Sequence, residues 1–418
     1  MKLTLQLAAL SIVNIGTAFL FQWYVFIEIG PGMQTDAFFA GMTVPNLILA
    51  VISGSLTHVL VPILTGASDR TRHHDAWAFV VLIGGLFSVV AVSLYALAPW
   101  WIALTLPGFT PEGLELTVRL TRIQLIGMVF TSVSAVQIAV YHARHQFIWT
   151  ELAPIISGLL AFPLLVWLLP THGVVAAAWI YTGRIILLSL ALAPVMGRPV
   201  WPDPQTPAVV MAWRRIKPLI LGTSYYKTDQ LVDRFLLSAA SAGSISLFYL
   251  AQQLYGAASQ VLSKALATPI VPRLSAMHKA NDKTGFEKVY LRRLAQTIGI
   301  ALIGIICIGL FGNTALTLLI GHGSVSADNV NELWWLMIWL AGIFVGGAGG
   351  QICANAFYAC GNTATPTRIG VVMYSLFLVV KVVSFQVAGM MGLALAASAY
   401  YLANLALLGF FFFKRHMR

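Results

Sequence analysis

The sequence predicts an all-α polytopic membrane protein, with about twelve transmembrane helices in two pseudo-symmetric six-helix lobes around a central cavity. Three observations lead to this fold class: the apolar composition, the placement of the basic residues, and an internal repeat. Of the 418 residues, 59% are hydrophobic and 9% are charged, and the mean hydropathy is +0.83. A soluble domain of this length needs far more polar surface, so lipid is the predicted solvent for most of the chain.

Twelve apolar runs are long enough to cross the hydrocarbon core of a bilayer, which takes roughly 20 residues of helix. Each is predicted to be helical, because backbone hydrogen bonds in lipid have to be satisfied within the segment. The predicted spans are 5–28, 36–64, 77–97, 116–141, 151–169, 174–196, 217–239, 244–270, 295–320, 333–360, 370–387 and 391–413. Within the second span, Pro45 is expected to kink the helix because proline has no amide hydrogen.

The basic residues predict the orientation of these spans. Eighteen of the 25 Lys and Arg residues lie in alternate connecting segments or at the termini. The intervening loops contain none; they lie near Pro31, Pro107, His172, Ala240, Ser326 and Gly389. By the positive-inside rule, both termini are expected in the cytoplasm, as in a protein of the cytoplasmic membrane. Anionic lipid headgroups account for the net charge of +11, so no nucleic-acid partner is expected.

An internal repeat supports the division into two lobes. The segment TDAFFAGMTVPNLILAVISGSLTHVLVPIL resembles SISLFYLAQQLYGAASQVLSKALATPIVPRL, and one offset aligns Phe38 with Phe248 and Pro62 with Pro272. A second pair of segments, AVYHARHQF and AFYACGNTA, is also similar. Six helices per lobe is an even number, so both lobes enter the membrane in the same orientation.

The repeat sets the predicted domains: an N-lobe at 1–197, a cytoplasmic linker at 198–216 and a C-lobe at 217–418. The linker contains four prolines and is expected to be extended. The longest connecting segment, 272–294, mixes basic with apolar residues. It is predicted to be either a short helix lying in the inner headgroup region or an ordinary basic loop.

Several motifs in this order resemble those of a known family. They are TDAFFAGMTVPNLI followed by VPIL in the second span, then VDRFLL, VPRLS and AFYACGNTATPT. The sequence resembles the MurJ/MviN-type lipid II flippases of the MOP superfamily, which includes the MATE exporters and the Wzx polysaccharide flippases. The resemblance implies a MOP-type fold whose two lobes alternate between inward and outward openings.

The chain departs from the family pattern at positions that bear on the substrate. The resemblance implies arginines in helix one, after the PN of helix two and early in helix eight, but these stretches contain Ile15, Phe21, Leu49 and Gln253. It also implies two further C-terminal helices, whereas twelve are predicted here. The fold and the transport mode are therefore expected, and lipid II itself as the substrate is not.

Seven basic residues lie inside predicted spans, where each costs roughly 2.5 to 3.5 kcal/mol at the bilayer centre on insertion scales. They are Arg119, Arg122, Arg184, Lys227, Arg234, Lys264 and Lys381. Arg119 and Arg122 start helix four and are expected to snorkel to headgroups. The other five are expected to line a pathway or to pair internally with acids such as Asp229 and Asp233.

Helical spacing groups some of these residues with other polar side chains. In helix seven, Lys227, Gln230 and Arg234 recur at i, i+3 and i+7 and are predicted to share a face. The candidate substrate-binding residues are Lys227, Arg234, Lys264, Gln253, Gln260, Asn46, Arg184 and Lys381. The candidate ion-coupling or gating residues are Asp36, Asp229 and Asp233. No catalytic residue and no metal ligand is predicted.

Ammonium and guanidinium groups in a low-dielectric cavity suit a phosphate or diphosphate. The leading hypothesis is a flippase for an undecaprenyl-linked diphosphate saccharide or a peptidoglycan-type lipid precursor, in cell-envelope or polysaccharide biosynthesis. It is expected to be a monomer without cofactor, coupled to the membrane potential, H⁺ or Na⁺; no Walker motif suggests ATP hydrolysis. The alternatives are a MATE-like exporter of small amphiphiles, a membrane enzyme acting on lipid-linked glycans, and a scaffold without transport activity.

Overall fold

The computed structural model describes residues 2–66, 68–203, 206–267 and 270–416, without the side chains of 2–5, 8, 52–55, 57–58, 215–223, 264 and 415–416. The described residues form helices joined by short connections, with no β-strand among them. By its internal packing the chain divides into two units, Met1–Gly243 and Ser244–Arg418. The lobe boundaries at residues 197 and 217 rest on the sequence repeat and remain a prediction.

The first unit consists of α-helices with one 3₁₀ turn, Ala193–Met196. Its helices are α1 (Lys2–Ile29), α2 (Met33–Gly41), α3 (Thr43–Thr65), α4 (Asp69–Ala96), α5 (Ala98–Thr105), α6 (Pro111–Ala143), α7 (Phe147–Leu192), α8 (Pro207–Lys227) and α9 (Asp229–Leu237). Packing of α6 against α3, α4 and α7 forms the centre of this unit.

The second unit also consists of helices. Its helices are α10 (Ser244–Leu262), α11 (Ile270–Lys279), α12 (Lys283–Ile320), α13 (Ala327–Trp339), α14 (Ala341–Ala359) and α15 (Ala364–His416). A π-helical turn, Ser263–Ala267, follows α10. On α12, Leu310 is 71% exposed and Leu318 is 77% exposed. Such apolar surface suits lipid rather than water.

Seven helical stretches among the described residues are long and apolar enough to cross a membrane. They are Ala9–Ile29, Asp69–Ala96, Pro111–Ala143, Phe147–Met196, Lys283–Ile320, Ala327–Ala359 and Ala364–Lys414. Nine of the twelve predicted spans fall within them, since two stretches contain two spans each. The other three, 36–64, 217–239 and 244–270, are built from shorter helical pieces.

Single glycines interrupt the two longest helices. A continuous helix of 46 residues, as in α7, would be about 69 Å long, more than twice the thickness of the hydrocarbon core. The backbone of α7 breaks at Gly173 (φ 61°, ψ −155°), and that of α15 breaks at Gly389 (φ 57°, ψ −140°). Only glycine adopts this region readily. The spacing of these two glycines is 216 residues, within one residue of the 217 that separate Tyr141 from Tyr358 in the second pair of repeat segments, which supports the repeat.

The predicted kink in the second span is confirmed. Helix α2 ends at Gly41 and α3 begins at Thr43, with Met42 between them. The proline ring of Pro45 would clash with the carbonyl four residues earlier, which belongs to Gly41, so the break precedes the proline by one turn.

Helix α8 begins inside the segment that was predicted to be an extended linker. Thr206 caps it by accepting a hydrogen bond of 3.4 Å from the Val209 N–H, and Pro207 occupies the first helical position. Among the described residues of this segment, 198–203 and Thr206 are therefore the non-helical ones.

The basic segment 272–294 is neither a separate surface helix nor a loop. It forms the end of α11 and the first turns of α12. Phe286 and Tyr290, one turn apart, are buried against the aromatic ring of Phe412, whereas Lys283 and Lys288 are exposed. Buried aromatic rings thus fix the start of α12, and the cations stay on its outer face.

In the second unit, α14 packs closely on α15 through glycines. A Cβ on Gly342 would lie 2.7 Å from the Ser398 Cβ, and one on Gly346 would lie 2.7 Å from the Leu402 backbone nitrogen. Ser398 Oγ also accepts a hydrogen bond of 3.0 Å from the Gly342 N–H. Small residues at this spacing allow two membrane helices to approach each other.

Candidate functional site

Lys227 lies at the last position of α8 and contacts α3 of the same unit. Its ammonium group donates a hydrogen bond to the backbone carbonyl of Ala50. Asn46 is one helical turn before Ala50 on α3 and is half-buried. Two of the predicted binding residues, Asn46 and Lys227, therefore meet the same stretch of α3: Asn46 belongs to it, and Lys227 contacts it from α8.

The predicted common face of helix seven stays a prediction. The helix ends at Lys227 and resumes at Asp229, with Thr228 between the two pieces. Arg234 is only 4% exposed, whereas Gln230 is an exposed residue. The side chains therefore differ in burial, and they lie on two pieces of helix, α8 and the amphipathic α9.

The acids of α9 lie one turn apart. Asp229 is half-buried in the first turn, where the positive end of the helix dipole favours a carboxylate. Asp233 is buried. Both carboxylates and the neighbouring Arg234 interact with other groups in the structure. This short helix thus concentrates two acids and a buried cation.

Asp36 is buried in the first turn of α2 and binds a backbone group far along the chain. Its Oδ2 accepts a hydrogen bond of 2.7 Å from the N–H of Gly243. Gly243 has φ +97°, and a Cβ there would lie 3.1 Å from the Pro31 Cβ. The contact therefore depends on a glycine for both conformation and space.

A second close contact lies nearby in the same unit. The N–H of Gly108 donates a hydrogen bond of 3.2 Å to Ser238 Oγ. A Cβ on Gly108 would lie 2.6 Å from the Ala239 Cα, so the backbones touch. Sequence reasoning missed these partners of α9, and the available signal was the run of small residues SAASAGS after α9.

Arg184 lies in the second half of α7 and is half-buried. A Cβ on Gly158 would be 3.6 Å from the Arg184 guanidinium carbon and 3.5 Å from the Thr17 Cβ. The guanidinium therefore packs beside Gly158, close to α1. Arg122, which was expected to lie near headgroups, stacks over the Tyr95 ring at 4.6 Å.

In the second unit, Gln253 is half-buried and its Nε2 donates to Tyr249 Oη at 2.5 Å. Gln260 is exposed, and the side chain of Lys264 lies outside the described residues. Lys381 on α15 is only 1% exposed and interacts with its surroundings. A lysine is rarely buried to this extent unless it is paired.

The π-helical turn that contains Lys264 was also missed. Asn355 on α14 donates a hydrogen bond of 3.0 Å from Nδ2 to the carbonyl of Ala267, the last residue of this turn. Its Oδ1 accepts a bond of 3.2 Å from Gln351 Nε2. Turns of this kind are frequent at functional sites.

The two units thus each contain a buried cation, Arg234 on the amphipathic α9 and Lys381 on α15, together with amide side chains. Such cations bind phosphate groups through charge-assisted hydrogen bonds. Within the described ranges, no group of three or more His, Cys, Asp or Glu residues could hold a metal ion.

Comparison with protein families gives a match over residues 27–417 to the family described as lipid II flippase MurJ. A probable lipid II flippase MurJ of Vibrio cholerae serotype O1 is 25% identical over 406 residues, covering 91% of this chain and 76% of its own. One from Helicobacter pylori is 23% identical, covering 88% and 86%. These matches confirm the resemblance seen in the motifs and favour a transporter over an enzyme.

Solved structures confirm the fold. A lipid II flippase MurJ in an inward closed conformation superposes with a TM-score of 0.83 at 17% identity, covering 98% of this chain and 87% of its own. An inward-facing MATE multidrug transporter of the MOP superfamily gives a TM-score of 0.79 at 15% identity, covering 98% and 94%. The predicted all-α MOP-type membrane fold is therefore correct, and the chain belongs to the lipid II flippase MurJ family.

Proposed function

We propose that this protein is a flippase that moves an undecaprenyl-linked diphosphate saccharide, or a peptidoglycan-type lipid precursor, across the bacterial cytoplasmic membrane by alternating access. Family membership supports a lipid-linked precursor as the cargo, since the relatives are named probable lipid II flippases. In this proposal the protein acts as a monomer. The lipid tail of the substrate stays in the bilayer while the head group crosses.

The position of Arg234 is the observation that carries this proposal. Its guanidinium is 4% exposed, and a cation held in such low-dielectric surroundings binds a phosphate through charge-assisted hydrogen bonds. Lys227, Arg184, Lys264 and Lys381 supply further cations for a diphosphate. Asparagine and glutamine side chains can hydrogen-bond sugar hydroxyls; the candidates are Asn46, Gln253 and Gln260.

The contact between Asp36 and Gly243 is proposed to hold the outer side closed. The loops near residues 31, 107 and 240 are predicted to face outward, and contacts of Gly243 with Pro31 and of Gly108 with Ser238 join them. This grouping supports the predicted topology, with both termini in the cytoplasm. Opening to the outside then requires that Gly243 leave the carboxylate of Asp36.

Transport is proposed to be driven by the membrane potential or by coupled H⁺ or Na⁺. Asp229 and Asp233 are the proposed coupling residues, because a carboxylate in a membrane helix can bind a cation or a proton. Acids so close to the buried Arg234 would link cation binding to the state of the anion site.

Reconstituted proteoliposomes with defined lipid-linked sugars test the proposal. We expect Lys227→Gln and Arg234→Gln to lower flipping about tenfold or more, since a charge-assisted hydrogen bond contributes about 1.5 to 3 kcal/mol. Lys288→Gln, an exposed cation on α12, is the matched control. Thermal unfolding in detergent identifies variants that fail to fold. Flipping at the wild-type rate in both folded variants would contradict the anion site.

The second candidate is a MATE-like exporter of small amphiphiles, which the structural similarity to a MATE transporter favours. Basic residues outnumber acids in the predicted spans, which disfavours cationic drugs as cargo. The same proteoliposomes distinguish the two functions, because a fluorescent cationic amphiphile would be moved only by the exporter.

A further inference from the structure

Two cavities in the first unit meet at His145, in the turn between α6 and α7. The first has a volume of about 540 Å³ and a largely polar lining: Thr65, Asp69, Arg72, Ala143, Arg144 and His145. The second has a volume of about 530 Å³ and a largely apolar lining that includes Phe147, Ile148 and Trp149. A polar cavity and an apolar groove that share a lining residue suit the head and the tail of an amphiphile.

The polar cavity carries a net positive charge. Arg72 is held on its wall by hydrogen bonds of 2.9 Å from Nε to the Leu64 carbonyl and from Nη1 to Asp69 Oδ1. Asp69 thus offsets one cation. Arg144 caps the end of α6, and in the described part of the chain no carboxylate forms an ion pair with it. His145 adds an imidazole N–H at the boundary with the apolar groove.

The backbone of His145 is strained in a way that the second copy of the repeat avoids. When the turns are aligned by the hydrogen bond that closes each of them, one residue off the alignment of the repeat segments, His145 (φ 59°) corresponds to Gly361 (φ 73°). The two turns are closed by the same hydrogen bond, of 2.9 Å from Gln146 N–H to Tyr141 O and of 2.9 Å from Asn362 N–H to Phe357 O. Glycine would adopt this region without strain, so the turn alone does not require a histidine.

The residue before His145 also differs between the two copies of the repeat. The first copy has Arg144 where the second has Cys360, and both cap a helix with almost the same backbone angles. The turn itself therefore needs neither the guanidinium nor the imidazole. Both polar groups line the cavity of the first unit, so the difference between the copies points to a ligand there.

The apolar groove offers partly exposed rings and aliphatic carbon. Ile148 is 43% exposed and Trp149 is 37% exposed. The indole of Trp149 is fixed by a hydrogen bond of 3.0 Å from Nε1 to the Ala191 carbonyl. The ring centroids of His145 and Phe147 are 6.1 Å apart, so the groove begins directly at the polar cavity. Tryptophan is typical of the membrane–water interface.

We propose that these joined cavities bind an anionic phospholipid of the inner leaflet. Arg144, Arg72 and His145 hold the headgroup phosphate, and an acyl chain lies along Phe147, Ile148 and Trp149. The positive-inside pattern places Arg72 and Arg144 at the level of the inner headgroups, where such lipids are found. The site uses none of the cations assigned to the transported substrate.

Lipid binding to the purified full-length chain in detergent tests the site. Native mass spectrometry compares short-chain phosphatidylglycerol with phosphatidylcholine on the wild type, Arg144→Gln and His145→Gly. We expect the wild type to prefer phosphatidylglycerol and Arg144→Gln to bind it about fivefold more weakly, as loss of one arginine near a membrane surface predicts. His145→Gly should also bind it more weakly, because an imidazole hydrogen-bond donor is lost. Arg368→Gln is the control, since Arg368 is exposed and follows the equivalent turn of the second copy.

The variant His145→Gly keeps the test informative, because glycine adopts this backbone region without strain and the turn should remain folded. Equal phosphatidylglycerol affinity in the wild type, Arg144→Gln and His145→Gly would overturn the site. Displacement of phosphatidylglycerol by an equal concentration of inorganic phosphate would indicate a soluble anion and would overturn the assignment to a lipid. These readouts involve no flipping, so they stand apart from the proposed transport function.

Discussion

The carboxylate of Asp36 and the backbone N–H of Gly243 are joined by a hydrogen bond of 2.7 Å, although 207 positions separate the two residues in the chain. The bond fixes the segment after α9 on the start of α2. It is charge-assisted and buried, and bonds of this kind contribute more than neutral ones. The first two predictions concern its acceptor, Asp36, and its donor, Gly243.

Asp36→Ala is expected to lower the free energy of unfolding by about 1 to 3 kcal/mol, because the buried N–H of Gly243 is left without an acceptor. Asp36→Asn should cost less, since an amide oxygen still accepts. The midpoint of unfolding in detergent measures both. Asp328→Ala is the control, as Asp328 is exposed in the first turn of α13. An equal loss in the two alanine variants would refute the importance of the contact.

Gly243→Ala is expected to destabilise the protein more than Gly361→Ala does. Both residues have positive φ, so each substitution adds a left-handed strain of roughly 1 to 2 kcal/mol. Only at Gly243 does the new Cβ also meet Pro31; at Gly361 nothing lies within 4 Å. Comparison of the two unfolding midpoints isolates the packing contribution. A greater loss at Gly361 would contradict the close approach.

Gly346→Ala is expected to destabilise the second unit by about 1 to 3 kcal/mol, because the added methyl group overlaps the α15 backbone at Tyr401 and Leu402. Gly350→Ala on the same helix is the matched control. Its nearest neighbour is Asn404 Nδ2 at 3.9 Å, so the methyl group fits. Thermal unfolding of both variants checks the prediction, which fails if Gly350→Ala is the more damaging.

Asn355→Ala is expected to lower stability by about 1 to 3 kcal/mol, since the Ala267 carbonyl loses its donor. Hydrogen exchange should rise in the π-helical turn 263–267, because its last carbonyl is no longer held. Gln351→Ala, at an exposed position one turn away, should change exchange there much less. Unaltered exchange of this turn in Asn355→Ala would rule out the bracing role.

Much of the fold could be predicted because local chemistry determines it. Pro45 favours a break in the helix one turn before it, and Gly173 and Gly389 fall between spans that composition alone separates. The break at Thr228 and the π-helical turn after α10 could not be predicted. Neither contains a proline, and the π-helical turn is braced by a distant side chain, that of Asn355.

The candidate site, like the fold, could be predicted only in part. Cations in apolar segments are conspicuous in a sequence, and Arg234 and Lys381 are indeed buried. The exposure of Gln230 and Gln260 could not be predicted. Helical spacing predicts which residues share a face, but it does not predict which other elements pack against that face. The partner of Asp36 is a backbone N–H, which nearly every residue has. Its identity follows only from the tertiary structure.

The interruptions at Gly173 and Gly389 show a point where backbone geometry dictates the residue type in both copies of the repeat. Few other residues match between the copies, yet both have glycine here, because only glycine adopts such backbone angles readily. At the turn occupied by His145 and Gly361 the copies differ, although the same hydrogen bond closes both turns. Geometry therefore fixes the side chain at the first position and leaves the second open to a side chain with another role.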